Sequence, residues 1–163
     1  MSRSYRRQEP APEPIAPDSL LEVCLCHHAR RTARAVTRLF DDALRPSGLS
    51  AGQFNILAAI GARVGVSAAD VARVLAMDPT TLSRNLKLLQ RLGYLSVEVG
   101  AGRRGGSLSL TYGGRTAFNN ATLLWREAQS RLFAGLGGSA AGAVLQALEN
   151  LTRVATDNDV YTS

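Results

Sequence analysis

The sequence predicts a mainly α-helical fold with one small β-hairpin, and three observations favour this prediction. Apolar residues recur at helical spacing over three long segments, 18–44, 112–136 and 139–155, which is typical of amphipathic helices. Helix-start residues and turn residues mark shorter helices between them, over 50–63, 67–75 and 78–92. Two segments, 94–99 and 107–110, instead alternate polar and apolar side chains as short strands do.

Length and charge limit the class of protein. The chain has 163 residues, which is enough for one domain with a hydrophobic core. Its net charge is +6 and its pI about 10.1, so an anionic partner is expected, with nucleic acid first and a membrane surface second. Nearly all of the positive charge comes from arginine, which is suited to bidentate contacts with phosphate and guanine.

Several other classes of protein are not favoured. The sequence has no apolar run long enough to span a membrane and no secretory signal at its N-terminus. Two cysteines do not suggest a disulfide framework. The sequence contains no phosphate-binding loop, no set of metal ligands and no nucleophile with a spaced base. We therefore predict neither an enzyme nor a bound cofactor or metal, and we expect a cytoplasmic location.

The N-terminal part predicts an arm followed by a long helix. Residues 1–17 are rich in proline and charge, so we expect a flexible arm. Asp18 is the predicted N-cap of a helix that continues to about Leu44, where Pro46 and Gly48 end it. The predicted buried stripe of this helix consists of Leu21, Leu25, His28, Thr32, Val36, Leu39 and Ala43.

Two helices with capping signals come next. Ser50 and Gln53 form a capping box, in which each side chain satisfies a free backbone amide. The helix that they open is predicted to reach about Arg63. Ser67 and Asp70 form a looser box that opens a short helix to about Leu75.

A third helix completes a helix-turn-helix core. Asp78 is its predicted cap, Pro79 takes the first position, where a missing N–H costs nothing, and Gly93 is the stop. Three residues are predicted to point inward, namely Leu82, Leu86 and Leu89. Helix, short helix, turn and helix in this order form the DNA-binding motif in which the last helix lies in the major groove.

The predicted hairpin is expected to form the wing that follows a helix-turn-helix. Its loop, residues 100–106, has the sequence GAGRRGG and places Arg103 and Arg104 between glycines, so that it can approach a DNA minor groove closely. The polar side of the preceding helix offers Thr80, Thr81, Arg84 and Lys87. We predict that Arg84 reads guanine through its O6 and N7 atoms and that Lys87 contacts phosphate.

The C-terminal part predicts two more helices. Thr111 is expected to cap one that reaches about Leu136, Gly137 and Gly138 break it, and Ser139 is expected to cap the last. The apolar stripe of the last helix contains Val144, Leu148, Leu151 and Ala155. The stripes of these long helices need a partner, and a second copy of the chain is the simplest one.

The predicted organisation has four parts. Residues 1–17 form a flexible N-terminal arm, and residues 18–48 form the N-terminal helix of a dimerisation region. Residues 49–111 form a winged helix-turn-helix lobe that binds double-stranded DNA. Residues 112–163 form the C-terminal dimerisation helices.

Three phrases resemble the MarR family of bacterial transcription regulators: LRPSGLSAGQFNILAAI (44–60), MDPTTLSRNLKLLQRLGYL (77–95) and LSLTYGGR (108–115). The resemblance covers about residues 20–155. It implies a homodimer joined by its terminal helices, in which each winged lobe binds one half of a palindromic operator. Many members are repressors that are released by small aromatic ligands or by oxidation of cysteines.

The resemblance also implies roles for single residues. Pro79, Thr80, Thr81 and Arg84 correspond to base-facing positions. Contacts with the DNA backbone, or positions next to such contacts, are implied for four residues: Ser67, Ser83, Asn85 and Lys87. Arg104 corresponds to the wing-tip arginine. The family commonly has Asp-x-Arg at the wing, whereas this chain has Gly102 in place of the aspartate, so a looser wing is expected.

A ligand site is a further implication of the resemblance. The positions that border the family's cavity correspond to His27, His28, Arg31, Phe54, Leu57, Phe118 and Trp125. An apolar slot with a cationic end suits an aromatic acid. Plain core packing is the alternative for these residues. The arginines of the first helix, at 30, 31, 34 and 38, are either a solvated face or a contact for the phosphates of a CoA-linked effector.

Cys24 and Cys26 leave two further hypotheses open. In a continuous helix, side chains two residues apart point about 200° apart, so these thiols are not expected to bind one metal or to pair with each other. They are then either small interface residues or redox-sensing thiols that act between subunits. A different class of function, an architectural protein that coats DNA with low specificity, is also compatible with the composition.

Overall fold

Seven α-helices and a two-stranded antiparallel sheet make up the computed structural model, which describes residues 16–98 and 106–157. A single 3-10 turn, Arg45–Ser47, follows the second helix. The helices are α1 Pro17–Val23, α2 Leu25–Leu44, α3 Ala51–Gly61, α4 Ala68–Val74, α5 Pro79–Arg91, α6 Tyr112–Leu136 and α7 Gly138–Thr156. The strands are β1 Leu95–Glu98 and β2 Ser107–Leu110. The described residues divide into two compact units, one up to Val36 and the other from Thr37 onward.

The predicted continuous first helix is wrong, because the chain breaks at Cys24. This residue has an extended backbone with φ −74° and ψ 107°. Side chains satisfy backbone groups at both new helix ends. The Nε2 atom of His28 lies 2.9 Å from the carbonyl oxygen of Glu22, and the N–H of His27 donates to Cys24 Sγ at 3.4 Å. These local bonds replace those of a continuous helix, and Cys24 takes the place of an N-cap for α2.

The predicted N-cap of the first helix, Asp18, is also wrong. α1 begins at Pro17, and Ala16 precedes it as the N-cap without a side-chain bond. Proline suits the first helical position because its φ is already helical and it lacks the N–H that would have no partner there. Asp18 therefore lies inside the first turn, where its charge interacts favourably with the helix dipole.

The predicted buried stripe on the first helix lies largely on the surface of the single chain. Leu21 and Leu25 expose 50% and 61% of their area, and His28, Thr32 and Leu39 are also exposed. On α7, Val144 and Leu148 are exposed too. Helical periodicity identifies the apolar face of a helix but does not say whether the same chain covers it.

The start of α7 differs from the prediction as well. Its N-cap is Gly137 rather than Ser139. Gly137 has a φ of 78°, its N–H donates to the carbonyl of Ala134 at 3.2 Å, and its own carbonyl accepts from Ala140 at 2.9 Å. One glycine in this positive-φ conformation ends α6 and begins α7, so no separate capping residue is needed.

The central lobe agrees with the sequence closely. The capping box is present, since Gln53 N–H donates to Ser50 Oγ at 3.2 Å and Ser50 N–H donates to Gln53 Oε1 at 2.9 Å. Asp78 caps α5, and Gly93, with φ 74°, follows its end. One hydrophobic core joins α3, α4, α5, the hairpin and Ala121 of α6. Its fully buried side chains include Leu44, Ile56, Leu57, Val71, Leu82 and Leu89.

The hairpin is short and regular. Leu95 pairs with Leu110 and Glu98 with Ser107. The N–H of Leu108 also donates to the carbonyl of Val66 at 2.9 Å, which attaches the hairpin to the segment before α4. Gly106 has φ 69°, and a Cβ there would lie 2.9 Å from Val97 Cγ1, so the return to β2 requires glycine.

Within the two described ranges, no single helix is long and apolar enough to cross a membrane. α6 and α7 meet the length and composition criteria only as a pair, across a bend of 104°.

Candidate nucleic-acid interface

The outer face of α5 is built on a capped and anchored helix. Asp78 Oδ1 accepts the N–H of Thr80 at 2.9 Å and the N–H of Thr81 at 3.0 Å, both in the first turn of α5. Leu82 and Leu89 are buried on the opposite side, at 2% and 0% exposure. As the sequence predicts, these contacts leave Thr80, Thr81, Ser83, Arg84 and Lys87 exposed.

The exposed residues of α5 include one that the prediction omitted. Arg91 follows Arg84 by seven residues and Lys87 by four, so the three cations lie along one face of the helix. Together with Gln90 they line a surface hollow of about 560 Å³. We call Arg84, Lys87 and Arg91 the basic stripe. The signal for Arg91 was present in the sequence as the same helical spacing that identified Arg84 and Lys87.

The described carboxylates do not neutralise the basic stripe. Three ion pairs occur in this part of the chain: Arg45 with Asp42, Arg73 with Asp70, and Arg131 with Glu127. None of them includes a residue of α5. The acidic group that belongs to this helix is Asp78, at the end opposite to Arg91. Positive charge is therefore displayed along the middle and the C-terminal end of α5.

Two predicted contact residues are engaged within the protein. The Ser67 hydroxyl donates to Asp70 Oδ2 at 2.7 Å and accepts from Asp70 N–H at 3.1 Å. This hydroxyl, followed by Arg73, lowers the pKa of Asp70 by hydrogen bonding to its charged form. Asn85 is half-buried, and its Nδ2 donates to the carbonyl of Thr81 at 3.0 Å. The bonds of Ser67 stabilise the start of α4, and the bond of Asn85 lies within α5.

The wing arginines Arg103 and Arg104, and Gly102 beside them, lie outside the described residues, as does most of the arm predicted for residues 1–17. Their predicted roles therefore stay predictions. The base of the wing is described, and its two strands pair from Leu95 to Glu98 and from Ser107 to Leu110.

A joint built on Thr111 connects the hairpin, the end of α5 and the start of α6. Thr111 Oγ1 donates to the carbonyl of Gly93 at 2.6 Å and accepts from Gly114 N–H at 2.9 Å. The Thr111 N–H donates to the carbonyl of Tyr94 at 3.1 Å. The predicted cap of α6 is therefore present, and it also ties α6 to the residues that follow α5.

The residues of the predicted ligand site divide between the two units. In the larger unit, Phe54 and Leu57 are buried, and the Phe54 ring stacks against Phe118 and Trp125 with centroid distances of 5.0 Å and 6.1 Å. Phe118 also lines a surface cleft of about 580 Å³ with Ala58, Ile60 and Leu110. In the N-terminal unit, His27 and His28 lie edge to face at 5.5 Å, and Arg31 is exposed.

The helix break changes the interpretation of the cysteines. Cys24 is half-buried and Cys26 exposed, and both thiols are free. The expected separation of about 200° assumed one continuous helix, and this assumption fails because Cys24 lies between α1 and α2. In the described part of the chain, no three His, Cys, Asp or Glu residues are grouped so that they could hold a metal ion.

Comparisons with known proteins extend these observations. A family model described as the MarR family matches residues 47–105. The crystal structure of the transcriptional regulator MosR from M. tuberculosis is 34% identical, with 83% of this chain and 97% of that one covered and a TM-score of 0.74. MosR in complex with DNA matches at the same identity, with 82% and 98% covered and a TM-score of 0.70.

Two other solved structures contain small molecules. A MarR family protein of Mycobacterium tuberculosis in complex with p-aminosalicylic acid is 25% identical, with 78% of this chain and 98% of that one covered and a TM-score of 0.61. CouR from Rhodococcus jostii RHA1, bound to p-coumaroyl-CoA, is 22% identical, with 85% and 96% covered and a TM-score of 0.69. Among curated proteins, none matches the chain.

Proposed function

Because the chain belongs to the MarR family of DNA-binding transcription regulators, we propose that it is a homodimeric repressor of a palindromic operator. The observation that carries this proposal is the basic stripe, an exposed row of cations on a helix whose other side is anchored in the core. In this proposal residues 49–111 are the DNA-binding lobe, and residues 18–48 and 112–163 form the dimer.

The proposed contacts follow from the chemistry of α5. Arg84 reads guanine with its planar fork, and Pro79, Thr80 and Thr81 line the base edges beside it. Ser83 and Lys87 contact phosphates, which set affinity and register. Ser67 and Asn85 hold the helices in place through their local bonds. Arg103 and Arg104 enter the minor groove, where the potential is most negative if the groove is narrow.

Exposed apolar side chains support the proposed dimer. In the N-terminal unit, Val23 and Leu25 expose 74% and 61% of their area. On α7, Val144, Leu145 and Leu148 are exposed at spacings that belong to one helix face. Large apolar surfaces of this kind mark sites of association, and a second copy of the chain brings the matching surface. Sedimentation of the wild type and of Leu148→Glu tests this, and a monomeric wild type would contradict it.

A selection from genomic DNA tests sequence specificity. Purified protein is mixed with sheared DNA in about 150 mM salt, close to physiological ionic strength, and the retained fragments are sequenced. We expect a palindrome whose half-site centres lie about one helical turn apart, roughly 34 Å. Retention without a consensus that disappears as salt rises would instead support the architectural function.

We further propose that a small aromatic ligand releases the repressor from DNA. The stacked Phe54, Phe118 and Trp125 rings offer an apolar surface of the kind that binds an aromatic group. The relative crystallised with p-aminosalicylic acid is consistent with this class. p-Aminosalicylate should weaken operator binding by the wild type, and Phe118→Ala should reduce this effect. Operator binding that is insensitive to aromatic acids would contradict the proposal.

A CoA thioester is the alternative effector, in line with the relative bound to p-coumaroyl-CoA. Arg30, Arg31 and Arg34 are exposed on α2 and are suited to the phosphates of such a ligand. Release of DNA by p-coumaroyl-CoA but not by the free acid would favour this alternative, and Arg34→Ala should then reduce the release.

The break at Cys24 favours a second candidate function, redox sensing. Because Cys24 and Cys26 are not held on one helix, the geometric objection to their pairing no longer applies. Hydrogen peroxide would accept two electrons and two protons from two thiols and leave a disulfide and two molecules of water, with the disulfide either within one chain or between subunits. The resulting change around α1 and α2 would favour a state that binds DNA less tightly.

A further inference from the structure

We propose that Arg91 is a further DNA-contacting residue, which holds a backbone phosphate at the C-terminal end of α5. The inference rests on the proposed function, because it assumes that the outer face of α5 lies against DNA. It adds a phosphate contact that the sequence prediction did not include and places it at the C-terminal rather than the N-terminal end of the helix.

The alignment of the basic stripe is the first argument. Thr80, Arg84, Lys87 and Arg91 follow one another at spacings of four, three and four residues, so they lie above one another on one helix face. Arg84 and Arg91 are about 10 Å apart along the axis at 1.5 Å per residue. The two guanidinium groups therefore serve different parts of the DNA surface, and Lys87 lies between them.

The N-terminal end of α5 is the second argument. Helix N-termini often bind phosphate through free backbone amides. Here Asp78 Oδ1 already accepts from the N–H groups of Thr80 and Thr81, and Pro79 has no N–H to offer. The carboxylate at this end also repels a phosphate. The charged phosphate contacts of this helix then come from the cations further along α5.

The surroundings of Arg91 are the third argument. Arg91 is exposed, and it belongs to none of the ion pairs of the described residues. It lines the same shallow, open depression of about 560 Å³ as Arg84, Lys87 and Gln90, so the three cations of the basic stripe border one stretch of surface. A second explanation for a basic residue in the last turn is its favourable interaction with the helix dipole, and the experiment has to separate the two.

The salt dependence of operator binding separates a phosphate contact by Arg91 from an effect of its charge on the helix dipole. We compare the wild type with Arg91→Gln, which removes the charge but retains a good helix former, and with Arg91→Lys, which keeps the charge. Each phosphate contact contributes about 0.9 to the slope of log K against log salt, so a dimer of Arg91→Gln should lose about 1.8. Arg91→Lys should restore most of the slope, and binding to the operator and to base-substituted operators should weaken by the same factor.

A matched control removes the same charge elsewhere. Arg63→Gln changes an exposed arginine after the end of α3, and we expect it to leave the slope unchanged. An Arg91→Gln protein that binds with the wild-type slope would overturn the proposal, and a lower thermal stability with that slope would leave Arg91 a helix stabiliser only. Failure of the wild type itself to select a palindrome would instead reject the proposed function, so the two failures are distinguishable.

Discussion

The backbone of Tyr94 occupies the space into which a side chain on Gly114 would project. A Cβ built on Gly114 would overlap the carbonyl oxygen of Tyr94 and lie 2.9 Å from its carbonyl carbon and 3.1 Å from its Cα. The same carbonyl accepts the N–H of Thr111. The start of α6 is thus packed directly against the residue that connects α5 to β1.

Gly114→Ala should therefore destabilise the protein. The obstacle is backbone, which cannot move aside as a flexible side chain would, so we expect a loss of about 1–3 kcal/mol, typical of overpacking. Urea unfolding monitored by circular dichroism measures it. Gly113→Ala is the matched control on the same turn, because a Cβ there has its nearest neighbours at 3.6 Å and 3.7 Å. Equal stability of the two variants would show that the contact has no energetic role.

Arg84→Ala should reduce sequence specificity more than non-specific affinity. A bidentate arginine–guanine contact contributes about 1–3 kcal/mol of discrimination, so the preference for the selected operator over single-base variants should fall at one position in each half-site. Fluorescence anisotropy with a panel of substituted operators measures this change. If every sequence weakens by the same factor, Arg84 contacts backbone rather than base.

Lys87→Ala should change the salt dependence of binding and leave specificity intact. The loss of one phosphate contact lowers the slope of log K against log salt by about one for each subunit that binds. Titrations at several salt concentrations, on the operator and on unrelated DNA, measure it. An unaltered slope on both would exclude a phosphate contact by Lys87.

The double variant Cys24→Ser, Cys26→Ser should bind DNA normally in the presence of reductant. Serine at position 24 can accept the His27 N–H that Cys24 Sγ accepts, and serine is a favoured N-cap, so the start of α2 should be preserved. If the redox function is correct, peroxide should release the wild type and not the variant. Release of the variant to the same extent would remove the thiols from the mechanism.

Much of the central lobe was predictable because its determinants are close together in the chain. Ser50 with Gln53, and Asp78 with the two amides that follow it, form bonds over three residues or fewer. A glycine at positive φ ends α5 as predicted. The outward position of Arg84 and Lys87 follows from the inward position of Leu82 and Leu89 on the same helix, which is a matter of helical period alone.

Two of the predictions that failed, the continuous first helix and the cap at Ser139, concern which groups satisfy the backbone at a helix end. Cys24 and His28 side chains satisfy the backbone groups at a break that carries no proline or glycine signal. Gly137 serves two helix ends at once, which displaced the predicted cap at Ser139.

The sequence by itself determined the order of the elements from α3 to α6, their caps and the polarity of their faces, since these depend on neighbours within about two turns of a helix. The tertiary structure decided which faces are covered and where distant segments meet. Gly114 and Tyr94 are twenty positions apart, and the stacked Phe54 and Phe118 are sixty-four apart. Such contacts depend on how helices pack against one another, and residue spacing along a single chain does not encode that packing directly.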